Sequence, residues 1–125
     1  MEVLYPRCAG LDIHGELVVA CARIAEGGTV RRELAEFGTS TRELLRLQEW
    51  LLERQVTHAA MESTGVYWKP VWHTLEGCLD LTLGNAKQMK TVPGRKSDEK
   101  DSQWIGELMA HGLIKRSFRF KGQQV

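Results

Sequence analysis

Four carboxylates stand in contexts that suit metal-assisted phosphate chemistry. Asp12 closes the apolar run Ala9-Gly10-Leu11-Asp12-Ile13-His14, and Glu62 closes another, His58-Ala59-Ala60-Met61-Glu62-Ser63. Asp98 and Asp101 are three residues apart in Ser97-Asp98-Glu99-Lys100-Asp101-Ser102. Acids that end buried strands, joined by an acid pair at helical spacing, make an oxygen-ligand site for Mg²⁺. Hard divalent cations take carboxylate oxygens and keep positions open for phosphate. Two such ions, about 3.5–4 Å apart, clamp the attacking and leaving oxygens of a phosphodiester. Each acid also has an ordinary reading. Asp12 suits a strand-end turn, Glu62 a solvated loop, and Asp98 and Asp101 a first helical turn, where the helix dipole favours acids. Taken together, the four favour the metal site.

The basic residues point to a polyanion. Residues 1–83 carry 8 basic and 12 acidic side chains, whereas residues 84–125 carry 9 basic and 4 acidic ones. The C-terminal third is thus the part that would face nucleic acid. Within it, Lys87, Lys90, Arg95 and Lys96 form an acid-free run beside the acid pair. They are expected to hold phosphates without reading sequence. Lys115, Arg116, Arg119 and Lys121 interleave with Phe118 and Phe120, a mix that suits single-stranded nucleic acid or RNA through charge and stacking. The two phenylalanines equally suit packing against a further domain. Tyr67 and Trp68, close after Glu62, are expected to pack near the site rather than stack on bases. The four histidines have no zinc-like spacing. Ser63 and Ser102 lack a credible histidine partner for nucleophilic hydrolysis.

These residues need a scaffold, and the patterning supplies one. Residues 3–13, 16–25 and 29–37 read as strands joined by tight turns at His14-Gly15 and Gly27-Gly28, an antiparallel meander. Thr41–Arg54 carries leucines at helical spacing behind a Ser40 or Thr39 cap. Residues 57–62 read as a short central strand, 66–76 as a helix and 80–83 as a fifth strand. A short basic helix around 86–90 leads through Pro93-Gly94 into a last helix from Ser97 or Asp98 to His111. The order βββαβαβα is a ribonuclease-H-like α/β pattern with a mixed sheet. Asp12 and Glu62 are then expected on neighbouring strands, with Asp98 and Asp101 on one face of the last helix.

Composition bounds the rest. The chain has 125 residues, enough for one domain with a core. The three widely spaced cysteines form no Cys-x-x-Cys pair, so a disulfide framework or a zinc site is not expected. No apolar stretch approaches the roughly 18 residues of a membrane span, and the N-terminus has no signal-peptide pattern. A cytoplasmic protein without membrane partners is expected.

The motifs resemble the DEDD-type transposases of the insertion-sequence 110 family. The matching stretches are Gly10-Leu11-Asp12-Ile13-His14, Met61-Glu62-Ser63-Thr64-Gly65-Val66-Tyr67-Trp68, and Pro93-Gly94-Arg95-Lys96-Ser97-Asp98-Glu99-Lys100-Asp101-Ser102-Gln103-Trp104, followed by His111-Gly112-Leu113. The resemblance implies a RuvC-like catalytic domain over residues 1–112 and a basic linker start over 113–125. It implies Mg²⁺, with Mn²⁺ as the alternative, on Asp12, Glu62, Asp98 and Asp101. It also implies DNA as substrate, a bridge RNA as guide and a homo-oligomeric full-length recombinase. Family members continue into a second domain with a serine that attacks DNA, a domain this chain is expected to lack. Three other readings stay open. One is a stand-alone structure-specific nuclease using water. Another is an ATPase of the actin and sugar-kinase kind, which would need a second glycine-rich loop and a longer chain. The last is a non-catalytic remnant that binds RNA or other subunits.

Overall fold

The computed structural model describes residues 2–115. Five strands form one sheet: β1 (Arg7–His14), β2 (Leu17–Glu26), β3 (Thr29–Phe37), β4 (His58–Ser63) and β5 (Asp80–Leu83). Four helices accompany them: α1 (Thr41–Glu53), α2 (Trp68–Leu75), α3 (Ala86–Thr91) and α4 (Asp101–Ala110). The sheet order is β3-β2-β1-β4-β5. β1, β2 and β3 are antiparallel, while β4 runs parallel to β1 and β5 parallel to β4. This is the mixed sheet of a ribonuclease-H-like fold, with the short α3 added before the last helix.

The meander follows from its turns. Gly27 and Gly28 have φ of +56° and +84°, the left-handed pair that a two-residue hairpin turn requires. Ser40 caps α1 by accepting a hydrogen bond from the Glu43 N–H at 3.2 Å. Helices cover both faces of the sheet. On one, Leu44, Leu47 and Leu51 of α1 and Trp68, Val71 and Leu75 of α2 pack on Leu11, Ile13 and Met61. On the other, Met89 of α3 and Trp104, Ile105 and Leu108 of α4 pack on Cys8 and Ala60. β1 lies between the two layers and is buried at every position from Cys8 to Ile13.

Two element starts differ from the sequence reading by three residues or more. β1 begins at Arg7, not at residue 3, because the Leu4 and Tyr5 N–H groups both donate to the Ala110 carbonyl at the end of α4. The N-terminal segment thus ties down a helix instead of extending the sheet. The last helix begins at Asp101, not at Ser97 or Asp98. The Glu99 carboxylate accepts from the Lys96 N–H at 3.3 Å, and the Arg95 guanidinium donates to the Glu99 carbonyl at 2.8 Å. These bonds close a turn at residues 97–98. The helix then starts behind Lys100, whose N–H donates to the Gln103 side chain at 2.9 Å. Asp98 and Asp101 are therefore not a helical i, i+3 pair. Among the described residues no helix is long and apolar enough to cross a membrane.

Candidate active site

Two strands and one helix assemble the acids. In the parallel register of β1 and β4, Asp12 stands opposite Glu62. Strand alternation puts both on the sheet face of Cys8 and Ala60, the face that α4 covers. α4 approaches that face very closely. A Cβ on Gly10 would lie 2.2 Å from the Ser102 carbonyl oxygen and 2.4 Å from the Gly106 nitrogen. The glycine thus lets the start of α4, with Asp101 in its first turn, sit against the strand two residues from Asp12. On the other side, the Trp104 indole donates to the Met89 carbonyl at 3.1 Å and locks α3 to α4.

Asp12 is the buried member, with only 7% of its surface exposed. Its Oδ1 has no hydrogen-bond partner. His14 Nδ1 lies 3.0 Å from that oxygen, without the alignment of a hydrogen bond, and attracts it only when the imidazole is protonated. Burial pushes the Asp12 carboxyl up to about 6. The His14 charge opposes this shift, the Asp101 and Glu62 charges add to it, and Arg95 opposes it more weakly. Three acids therefore act on one point. Glu62 and Asp101 line a cleft of about 280 Å³ together with His14, Ser63, Lys90 and Arg95, whereas Asp12 is not among its walls.

Asp98 is elsewhere. It lines a separate cleft of about 340 Å³ with Arg32, Lys96, Glu99, Lys100 and Glu107. Arg95, expected to meet phosphate, instead donates to Asp101 Oδ1 at 2.6 Å. The other basic residues are distributed around this edge. Lys90 joins the acidic cleft and Lys87 lines a third. Lys115 is exposed, and its backbone N–H is bonded to the Gln88 side chain at 3.0 Å. Arg116, Arg119 and Lys121 lie outside the described residues, as do Phe118 and Phe120.

Some polar groups carry no signal in the sequence. Ser102 is 1% exposed with an unpartnered Oγ, on the α4 turn that meets Gly10. Arg23 of β2 is 5% exposed, and its Nε and Nη1 have no hydrogen-bond partner. The Glu99 carboxyl is pushed up, first by burial and then by its hydrogen bond with Glu107. No spacing rule links positions 99 and 107; the turn at 97–98 does.

The donor chemistry of Asp12, Glu62 and Asp101 fits a hard divalent cation. All are carboxylates, and the orphaned, buried Oδ1 of Asp12 is the kind of acceptor a cation would satisfy. The arrangement is open as it stands. Among the described residues no three His, Cys, Asp or Glu side chains form a group that could hold a metal ion. The family model for DEDD transposases of insertion sequence 110, described as "Transposase", matches residues 9–124. A comparison with curated proteins gave no match.

Proposed function

We propose that this chain, which belongs to the DEDD transposase family of insertion sequence 110, uses Asp12, Glu62 and Asp101 to hold Mg²⁺ at a DNA phosphodiester during transposition. The observation that carries this reading is the pairing of Asp12 with Glu62 in register on adjacent parallel strands. Asp101 is close enough to raise the Asp12 carboxyl further. Mn²⁺ would take the same donors. For Asp98 to join them as the fourth ligand, the turn at residues 97–98 must wind into the start of α4. When bound, the ion polarises the phosphate and offsets its developing charge.

The chain's own residues orient the DNA. Lys90 and Arg95 stand in the wall of the acidic cleft, where they meet phosphate oxygens beside the carboxylates. Arg95 has two alternative partners, Asp101 and a DNA phosphate. As the resemblance implies, a guide RNA addresses the protein to its DNA, and Lys115, Arg116, Arg119 and Lys121 are the basic residues that would contact it. The same resemblance assigns covalent attack to a serine in another domain. The acidic domain then positions and activates the phosphate, in a cytoplasmic homo-oligomer.

Two measurements follow. The first tests the function: binding of labelled element-end DNA, with Mg²⁺ or with a chelator, to wild type and Glu62→Gln. Mg²⁺ is expected to tighten wild-type binding and to have little effect on the variant. Equal affinity in all four conditions would sink the reading. The second tests Arg95. Arg95→Gln frees the Asp101 carboxylate and removes a competing charge. The ion pair is largely exposed, so it contributes little to stability, about 0.5–1 kcal/mol. Removing it is expected to tighten Mg²⁺ binding about fivefold. An Mg²⁺ titration followed by melting temperature reads this directly, and weaker binding by the variant would make Arg95 a supporter of the site instead.

A further inference from the structure

The loop after Glu62 holds two side chains that the fold does not bury. The chain leaves β4 through Gly65 at φ +58°. Trp68 then enters the core at 2% exposed, while Val66 and Tyr67 stay 59% and 48% exposed. Trp68, Val71, Trp72 and Leu75 make up the buried face of α2, so packing this helix does not require Tyr67. Beside the loop is a cleft of about 380 Å³. Its walls include Gly65 and Trp68, Leu83 and Gly84 at the end of β5, and Asn85 and Lys87 at the start of α3. Val66 and Tyr67 are not themselves among the walls, but they lie between two wall residues, Gly65 and Trp68, in the chain.

This cleft shares Ser63 and Ala86 with the acidic one. The two therefore adjoin at the carboxyl ends of β4 and β5. They differ in charge. The acidic cleft has Glu62 and Asp101 in its walls, whereas the second has no carboxylate and one lysine. The Asn85 side chain is already committed, because it accepts from the Gln88 N–H at 3.1 Å. What remains is one cation in the wall and an exposed aromatic ring on the neighbouring loop, next to the carboxylates proposed to handle a phosphodiester. The volume lies near the low end of small-ligand sites, about 300–1,000 Å³, which suits one nucleotide and not a base pair. A lysine unopposed by any carboxylate in the wall, and the position beside the acidic cleft, both select a nucleic-acid strand as its occupant.

We propose that the cleft between the 64–67 loop and α3 is a nucleotide subsite. It takes one unpaired nucleotide of the DNA strand next to the phosphodiester at Glu62, with the Tyr67 ring stacked on the base and Lys87 on the phosphate. The inference rests on the transposase site proposed above and adds a strand path to it. The strand runs from Lys87, past Ser63, to Lys90 and Arg95. Aromatic stacking holds single strands without reading their sequence, so Tyr67 is a positioning residue and not a catalytic one.

The test measures fluorescence anisotropy of labelled single-stranded and duplex DNA of one sequence with the 125-residue chain and its variants Tyr67→Ala, Tyr67→Phe and Lys87→Gln. Tyr67→Ala is expected to weaken single-strand binding about tenfold, the scale of one base–aromatic stack, and to leave duplex binding unchanged. Tyr67→Phe keeps the ring and is expected to bind like wild type. Lys87→Gln is expected to weaken binding and flatten its salt dependence, since one phosphate contact is lost. Tyr67 is half exposed, so an unchanged melting temperature for both of its variants verifies the fold. Single-strand binding by Tyr67→Ala equal to wild type, or equal loss on single strand and duplex, overturns the subsite alone. Failure of wild type to bind either DNA overturns the DNA role proposed for the acidic cleft with it.

Discussion

Gly10→Ala is expected to lower the melting temperature by about 10–20 °C, the equivalent of roughly 3 kcal/mol in a domain of this size. The added Cβ would stand 2.2 Å from the Ser102 carbonyl oxygen and 2.4 Å from the Gly106 nitrogen. Both neighbours are backbone atoms of α4, so no side chain can rotate away. The helix as a whole must lift, or the strand must bend. Overpacking a core commonly costs about 1–3 kcal/mol, and a clash between backbones belongs at the upper end. The same displacement carries Asp101 away from Asp12 and Glu62, so metal binding is expected to weaken along with stability. Gly106→Ala makes a graded comparison. Its Cβ would meet the Gly10 nitrogen at 3.3 Å, a tight contact that a small shift relieves, and its loss is expected to be clearly smaller. Thermal unfolding followed by circular dichroism measures both. A Gly10→Ala melting temperature within about 2 °C of wild type would show that α4 does not sit this close to β1.

The placement of the candidate acids was legible in the sequence where it depends on strands. Apolar runs that end in an acid place the acid at a strand end, and βββαβαβα fixes which strands are neighbours. Those two facts put Asp12 and Glu62 on neighbouring strands, and the structure adds the register that sets them opposite each other. What was hidden depends on side chains answering one another across several residues. Ser97 and Asp98 are the residue types that favour a helix cap, so the sequence starts the last helix there. The actual start at Asp101 comes from Arg95 and Glu99, whose bonds close the preceding turn. No local propensity encodes that arrangement. The Gly10–Gly106 approach was equally invisible, because a glycine in a strand has several uses and only the packing shows which one applies. Tyr67 and Trp68 show the opposite case. Positions 68, 71, 72 and 75 share a helical face, and position 67 lies outside it. The sequence grouped the two aromatics as packing residues, yet only Trp68 is buried.

Replacing Asp12 with asparagine is expected to move stability in opposite directions with and without metal. Asp12 has a carboxyl raised from 3.8 to about 6 by burial. A raised acid means that the folded chain holds a proton which the unfolded chain has lost between those two pH values. Stability therefore falls as pH rises through that window, and the ionised form is retained at neutral pH at a cost. A shift of this size corresponds to about 2–3 kcal/mol. Asp12→Asn removes the charge while keeping the shape. Without metal, the variant is expected to melt about 10 °C above wild type at pH 7. At about pH 4, where Asp12 keeps its proton in the fold, most of that difference should disappear. Mg²⁺ reverses the comparison. A ligand that binds only the folded state, at a hundred times its dissociation constant, adds about 2.7 kcal/mol. Wild type should gain that increment and the variant very little of it, because the variant has lost an acid whose Oδ1 is buried and without a hydrogen-bond partner. Melting curves at two pH values, each with and without Mg²⁺, separate the two effects. Equal Mg²⁺ shifts in wild type and variant would remove Asp12 from the metal site. A stability difference that persists unchanged at pH 4 would show that its charge is not what the fold resists.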